Sequence, residues 1–145
     1  MGTRAFLLTV GLVLLAAEIS TAASLTVRVT GMDNRKGQLK VGIFAGPDGW
    51  LADKSAITGQ NVMLANVSGD VAVVTFNDLK PGVYGVGVYQ DANMNNKLDK
   101  NVFGVPKEQW GVSNNVRPHL RAPTYDEAKF TVTEPSTSID IALHR

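Results

Sequence analysis

No cysteine occurs among the 145 residues. That excludes a disulfide scaffold, a thiolate zinc site, a cysteine nucleophile and a lipid-modified N-terminal Cys. Histidine is nearly as scarce. His119 and His144 are the only two, and without near spacing they make no zinc site. An excess of either charge is also missing. Lys and Arg number 14 and Asp and Glu 13, for a net charge of +1. A nucleic-acid-binding chain shows a basic excess, so no nucleic acid partner is expected. No apolar run reaches the roughly 20 residues that a membrane helix needs. What is present is 44% hydrophobic and 19% charged residues, the balance of one soluble globular domain.

The N-terminus has the order of an export signal. Arg4 supplies a positive charge, and Ala5 to Ala17 follow as a 13-residue apolar run. Glu18 and the small residues Ser20, Thr21, Ala22, Ala23 and Ser24 close it. This predicts a signal peptide over residues 1–23, cut after Ala22 or Ala23, and one domain over 24–145. The product is expected to be periplasmic or secreted, with no membrane span in the mature protein. Roughly 120 residues remain, enough to bury one core without staples.

Beyond the leader, apolar residues alternate with polar ones. Leu25, Val27 and Val29 alternate with Thr26, Arg28 and Thr30, and Leu39, Val41 and Ile43 repeat the pattern. Period two marks half-buried strands. It recurs over Asn61–Val67, Val71–Asn77, Val83–Gln90, Lys129–Thr133 and Thr137–Leu143. Turn residues such as Lys80-Pro81-Gly82 and Glu134-Pro135-Ser136 separate the runs. Seven short strands predict an all-β sandwich of immunoglobulin-like or transthyretin-like type. The expected inward residues are Leu25, Val27, Val29, Leu39, Val41, Ile43, Val86, Val88, Ile139 and Ile141.

Two segments break the alternation, Gly46–Gly59 and the much longer Asp91–Glu127. Loops of that length are functional or mobile in compact domains. Thr124 and Glu127 have capping-box spacing, which predicts one helical turn before the sixth strand. Gly85 and Gly87 share one strand face and leave it open to another backbone. The long segment is the expected cover. Trp50, Trp110 and Tyr125 are expected to anchor loops by burial.

Asp91, Asn93, Asn95 and Asp99 stand at positions 1, 3, 5 and 9 of a candidate calcium loop. Alternate oxygen-bearing side chains converge on one point, where Ca²⁺ takes six to eight oxygens. The carbonyl of Lys97 is a further candidate ligand. Asn96 stands where glycine is usual and tolerates the left-handed turn. Position 12 is Val102 rather than a bidentate Glu, so the set is incomplete. Glu108, Asp126 or Glu127 are the candidates to complete it. Asn-rich turns also form without metal, by bonding their own backbone.

A resemblance joins these pieces. Phe76-x-x-Leu79-x-Pro81-Gly82-x-Tyr84 looks like a turn signature of transthyretin-like sandwiches. Gly37-Gln38-Leu39, the Asp91–Asp99 run, Phe103-Gly104-Val105-Pro106-Lys107-Glu108, Gly111-x-Ser113-Asn114-Asn115, then Pro123, Asp126, Ala128 and Phe130 follow in order. Together they resemble the exported bacterial family known as domain of unknown function 2141, over about residues 24–143. The resemblance implies an exported sandwich domain and no assigned activity.

These features favour a small exported binding or structural module with an envelope partner or small ligand over an enzyme. The alternative is a carbohydrate- or envelope-associated hydrolase using the 91–127 loop. Its conceivable set is Ser113, His119 and Asp126, but no nucleophile-elbow motif surrounds the serine. Catalysis predicts convergent titratable groups in the loop, binding predicts exposed aromatics there, and a scaffold role predicts both packed down.

Overall fold

The computed structural model describes residues 21–145. The apolar run expected to be a leader lies outside them. The described chain is all-β but for one helical turn and three short 3-10 turns. Eight strands form two sheets: β1 (Ala23–Thr30), β2 (Gln38–Phe44), β3 (Thr58–Met63), β4 (Ala72–Leu79), β5 (Gly82–Asp91), β6 (Trp110–Val112), β7 (Phe130–Val132) and β8 (Ser136–Ala142).

The smaller sheet has the order β4-β1-β8. β1 runs antiparallel to β4 and parallel to β8. The larger sheet has the order β3-β2-β5-β6, and β7 pairs with the start of β5. The alternation in β1 puts Leu25, Val27 and Val29 inside and leaves Arg28 on the surface, paired with Asp140 of β8. Leu39, Val41 and Ile43 of β2 and Val86 and Val88 of β5 meet them from the other sheet. One core therefore joins the two sheets in a sandwich-like fold. Of the ten residues expected inward, nine are buried and Ile139 is half-buried against the core.

The departures from expectation have local causes. The chain has one strand more than the seven expected, because β6 is three residues long and offers no alternation to read. It exists through pairing: Trp110 opposes Tyr89 and Val112 opposes Gly87. β3 starts and ends earlier than expected. The Leu64 amide turns to the Gly37 carbonyl at 3.1 Å and Leu64 itself drops into the core, so Leu64–Asn66 form a 3-10 turn. The long segment is far from structureless. It contains a tight hairpin bridged between Lys100 and Pro106, then β6, a 3-10 turn and α1 (Tyr125–Ala128). The capping box of α1 is formed, with Thr124 and Glu127 bonding each other's backbone amides.

The cover on Gly85 and Gly87 also differs. The first loop, not the long segment, lies over most of that face. A Cβ on Gly85 would stand 2.7 Å from the Trp50 ring, and one on Gly87 would stand 2.7 Å from Leu51 Cδ2. Only Tyr125 joins them from the long segment, 3.2 Å from the Gly85 position. Trp50 packs edge-on to Phe44 and Tyr125, and its indole N–H donates to the Pro123 carbonyl at 2.9 Å. Glycine is thus required where an aromatic ring must rest on backbone. The aromatic anchors Trp50 and Tyr125 fix both long segments to the sheet.

Candidate functional site

The Asp91 loop begins where β5 ends. Asp91 is fully buried. Its Oδ1 accepts the Asn95 amide at 3.0 Å, and its Oδ2 accepts the Asn96 amide at 2.9 Å and Gln38 Nε2 at 3.0 Å. Burial raises the carboxyl, but the Gln38, Asn96 and Asn95 hydrogen bonds outweigh it. The net result holds Asp91 below its ordinary value, so it is an anion at neutral pH.

The remaining side chains converge on Asp99. Asn93 Nδ2 donates to it at 2.7 Å and Asn95 Nδ2 at 3.0 Å. The amide oxygens of Asn93 and Asn95 accept the backbone amides of Asn95 and Lys97. Met94 and Asn96 take left-handed backbone, so the turn forms with Asn at the position where glycine was usual. Glu108 completes the loop. Its two oxygens accept the Ala92 amide at 2.9 Å and the Asp99 amide at 3.0 Å. Asp126 and Glu127, the other candidate ligands, are engaged elsewhere: Asp126 with Lys129 and Glu127 with Arg121. The Arg121 contact, with the Thr124 amide, holds Glu127 down to about 2. Among the described residues, no three His, Asp or Glu side chains group as a metal cluster. Any cation at the loop would depend on Asp99, the Asn oxygens and the Lys97 carbonyl.

The candidate hydrolase set is not assembled. Ser113 is fully buried. Its hydroxyl donates to the Ala128 carbonyl at 2.6 Å and accepts the Val86 amide at 2.9 Å, tying α1 to β5. Asn114 donates to the Glu127 and Lys129 carbonyls, and Asn115 both donates to and accepts from β8 backbone. The Ser-Asn-Asn run therefore satisfies loop backbone. Among the described residues, no hydrogen bond joins Ser113, His119 and Asp126.

A second constellation escaped the sequence reading. Lys40 on β2, Asp53 in the first loop and Tyr89 on β5 meet on the outer face of the larger sheet. Lys40 Nζ lies 3.2 Å from Asp53 Oδ2, and the Tyr89 hydroxyl donates to the same oxygen at 2.9 Å. The Lys40 ammonium also stands 5.9 Å from the Tyr89 ring centroid. Burial pushes the Tyr89 phenol up, and the Asp53 hydrogen bond and charge add to it. The hydroxyl thus remains a donor throughout the physiological range. No spacing signal links the three, because β2, the first loop and β5 meet only after folding.

This cluster opens into a groove of about 1220 Å³. The Asn96–Pro106 segment and the Arg117–Pro123 segment wall it, and Trp110 and Gly87 line its floor. Lys40, Lys97, Lys100, Arg117, Arg121 and Arg145 line it against a single carboxylate, Asp53. Lys40, Arg121 and Arg145 already pair with Asp53, Glu127 and Asp33. Lys97, Lys100 and Arg117 have no ion pair among the described residues.

His144 borders the groove and is half-buried. It packs edge-on to Trp110, with ring centroids 4.2 Å apart, and its backbone bridges to Trp110. Its Nε2 is buried with no hydrogen-bond partner among the described residues. Burial depresses its pKa below the usual value, the Arg145 carbonyl opposes this, and the Arg117 charge adds to it. The neutral ring is therefore the folded form. Its contribution is present above the unfolded pKa of about 6.5 and is lost as pH falls through the folded one. Chemical unfolding from pH 8 to 5 is expected to show a decline that His144→Phe reduces. An unchanged pH slope in that variant would overturn the assignment.

No curated protein and no solved structure matches the chain. A profile described as an uncharacterized protein conserved in bacteria (DUF2141) matches residues 27–140. That stretch takes in the core strands, the Asp91 loop and the walls of the groove, and the chain belongs to this bacterial family.

Proposed function

We propose that this chain is an exported bacterial binding module that holds a small anionic ligand in the groove on the outer face of the larger sheet. The observation that carries the reading is the groove's charge: six Lys and Arg line it against one carboxylate. Three of those cations lack an ion pair in the described chain, and the Lys40 ammonium, fixed beside them by Asp53, has N–H groups left to donate. A cleft with few, convergent polar groups is the usual form of a ligand site. Within the sandwich, the immunoglobulin-like type is supported by Tyr84. Its hydroxyl donates to the Lys80 carbonyl at 2.8 Å, across the Pro81-Gly82 turn, as in a tyrosine corner.

Amide NMR titration tests the reading. Millimolar glucuronate and citrate are expected to move the amides of Tyr89, Trp110 and Lys97, and neutral glucose is not. Lys97→Gln with Arg117→Gln should lower the anion affinity roughly tenfold, as loss of two charge-assisted contacts implies. Groove amides that stay fixed under every anion would sink the proposal.

The convergence of Asn93, Asn95 and Asp99 favours a second role for the same wall, a weak Ca²⁺ site. Turning the two Asn amides, at the cost of their Oδ1 bonds to the Asn95 and Lys97 amides, would present Oδ1 in place of Nδ2 to a cation beside Asp99. With few carboxylates the affinity belongs in the millimolar range of extracellular modules. Binding to the folded state alone raises stability by mass action. A thermal melt in millimolar calcium is expected to exceed one in chelator, and Asp99→Ala should remove the difference. Equal midpoints for the wild type would return the loop to a purely hydrogen-bonded turn.

A further inference from the structure

Two exposed apolar tips border the groove, one from each wall. The first is the hairpin tip, where Val102 is 94% and Phe103 87% exposed, with Val105 also exposed. The second is Leu120, which is fully exposed. Exposed apolar residues scattered singly need no explanation, but Phe103, Val105 and Leu120 all line one opening, with Val102 next to Phe103 in the chain.

The hairpin tip is held out by hydrogen bonds centred on Asn101. Asn101 Oδ1 accepts the Phe103 amide at 2.9 Å and the Val105 amide at 3.0 Å. The Asn101 amide donates to the Val105 carbonyl at 2.8 Å, and the Gly104 amide to the Asn101 carbonyl at 2.9 Å. At its base, Lys107 donates its amide to the Asp99 carbonyl. The fold therefore fixes Val102 and Phe103 in water instead of letting them collapse onto the sheet. Leu120 sits at φ 59°, a left-handed conformation that is costly for a bulky residue. Strain of this kind gathers at functional positions.

Cations outnumber carboxylates around the tips. Lys100 and Lys107 flank the hairpin, and Lys97, Arg117 and Arg121 stand beside it or beside Leu120. The nearby carboxylates Asp99 and Glu108 are turned onto the loop's own donors, and Glu127 is paired with Arg121. Apolar tips ringed by cations suit a surface that is apolar within and anionic at its face. We propose that this edge of the protein docks on an anionic lipid bilayer, inserting Val102, Phe103 and Leu120 among the headgroups. Lys and Arg near such a surface each add attraction that fades with salt. The docking shares Lys97, Lys100 and Arg117 with the proposed anion site, so its test turns on the apolar tips, which that site does not use.

Vesicle flotation tests it, with the chain from Ala23 onward, which holds all eight strands and the whole core. Vesicles of phosphatidylcholine alone are compared with equal parts phosphatidylcholine and phosphatidylglycerol. The chain is expected to float with the anionic vesicles, less so as salt rises, and not with the neutral ones. Phe103→Ser with Leu120→Ser should lower the bound fraction roughly tenfold or more, since two apolar side chains leave the bilayer. Lys100→Gln with Lys107→Gln should lower it too and flatten the salt dependence. Val73→Ser, an exposed valine on β4 of the other sheet, serves as the control and should leave it unchanged. The tips are exposed, so thermal midpoints should match the wild type and exclude unfolding as the cause. Equal flotation of the wild type and the tip variant would overturn the proposal, as would no flotation with anionic vesicles. Self-association of the wild type that the tip variant loses, without flotation, would make a second copy the occupant and overturn it equally.

Discussion

Replacing Asp91 with Ala is expected to lower stability by about 3 kcal/mol, the range for removing one member of a buried, charge-assisted hydrogen-bond set. The carboxylate is fully buried and accepts three hydrogen bonds. Its loss strands the Asn95 and Asn96 amides at the turn and leaves buried Gln38 only a 3.3 Å contact with Asn96. Asp99→Ala makes the contrast. Asp99 is half-buried and its partners reach water, so that change should cost about 1 kcal/mol or less. Urea unfolding of both variants decides the matter, and equal costs would contradict the geometry. The pH dependence follows in sign. Hydrogen bonding holds the Asp91 carboxyl below its ordinary value, so its contribution is present above about pH 4 and lost as pH falls through the folded pKa. Asp91→Asn should lack that component of acid sensitivity.

Much of the sandwich was legible because its long strands repeat with period two. Leu25-x-Val27-x-Val29 and Leu39-x-Val41-x-Ile43 face the core as alternation requires. Alternation failed where pairing, rather than burial pattern, makes the strand. Trp110–Val112 is a strand only because β5 lies beside it, and Thr58–Met63 is an edge strand with Gly59 and polar neighbours. The Thr124 capping box was legible because both partners are three residues apart. The Asp91 loop was legible for the same reason, since most of its contacts span six residues or fewer. Glu108 was among the residues weighed as completing it, and what the spacing hid was its role, capping two loop amides. The Lys40–Asp53–Tyr89 cluster was invisible. Its members lie on two strands and a loop, and ordinary surface residues carry no local signal that a fold will join them. The apolar tip at Phe103 had the opposite character. Its residues were noticed as a family-like string, but only folding shows them held away from the core.

Gly37→Ala is expected to be the most damaging small change, costing on the order of 3 kcal/mol or more through combined strain and overlap. Gly37 precedes β2 with φ +70°, and a Cβ there would stand 2.0 Å from the Asp91 carbonyl oxygen and 2.8 Å from Ala92 Cα. Both are backbone atoms, so no side-chain rotation relieves the overlap. Gly69→Ala separates the two causes. Gly69 has a similar φ of +75° with nothing within 4 Å of a Cβ, so that variant should cost only the left-handed penalty of about 1–2 kcal/mol. The excess for Gly37 measures how tightly the β2 entrance closes on the Asp91 loop. That same contact passes to the groove, because the displaced Asp91–Ala92 backbone carries Asn96 and Lys97 on its wall. Amide NMR of a surviving Gly37→Ala fraction should therefore show the largest shifts at 91–99, with the β4-β1-β8 sheet little changed. A cost no greater than that of Gly69→Ala would mean that the loop yields freely, and the wall it forms would then be no fixed part of a binding site.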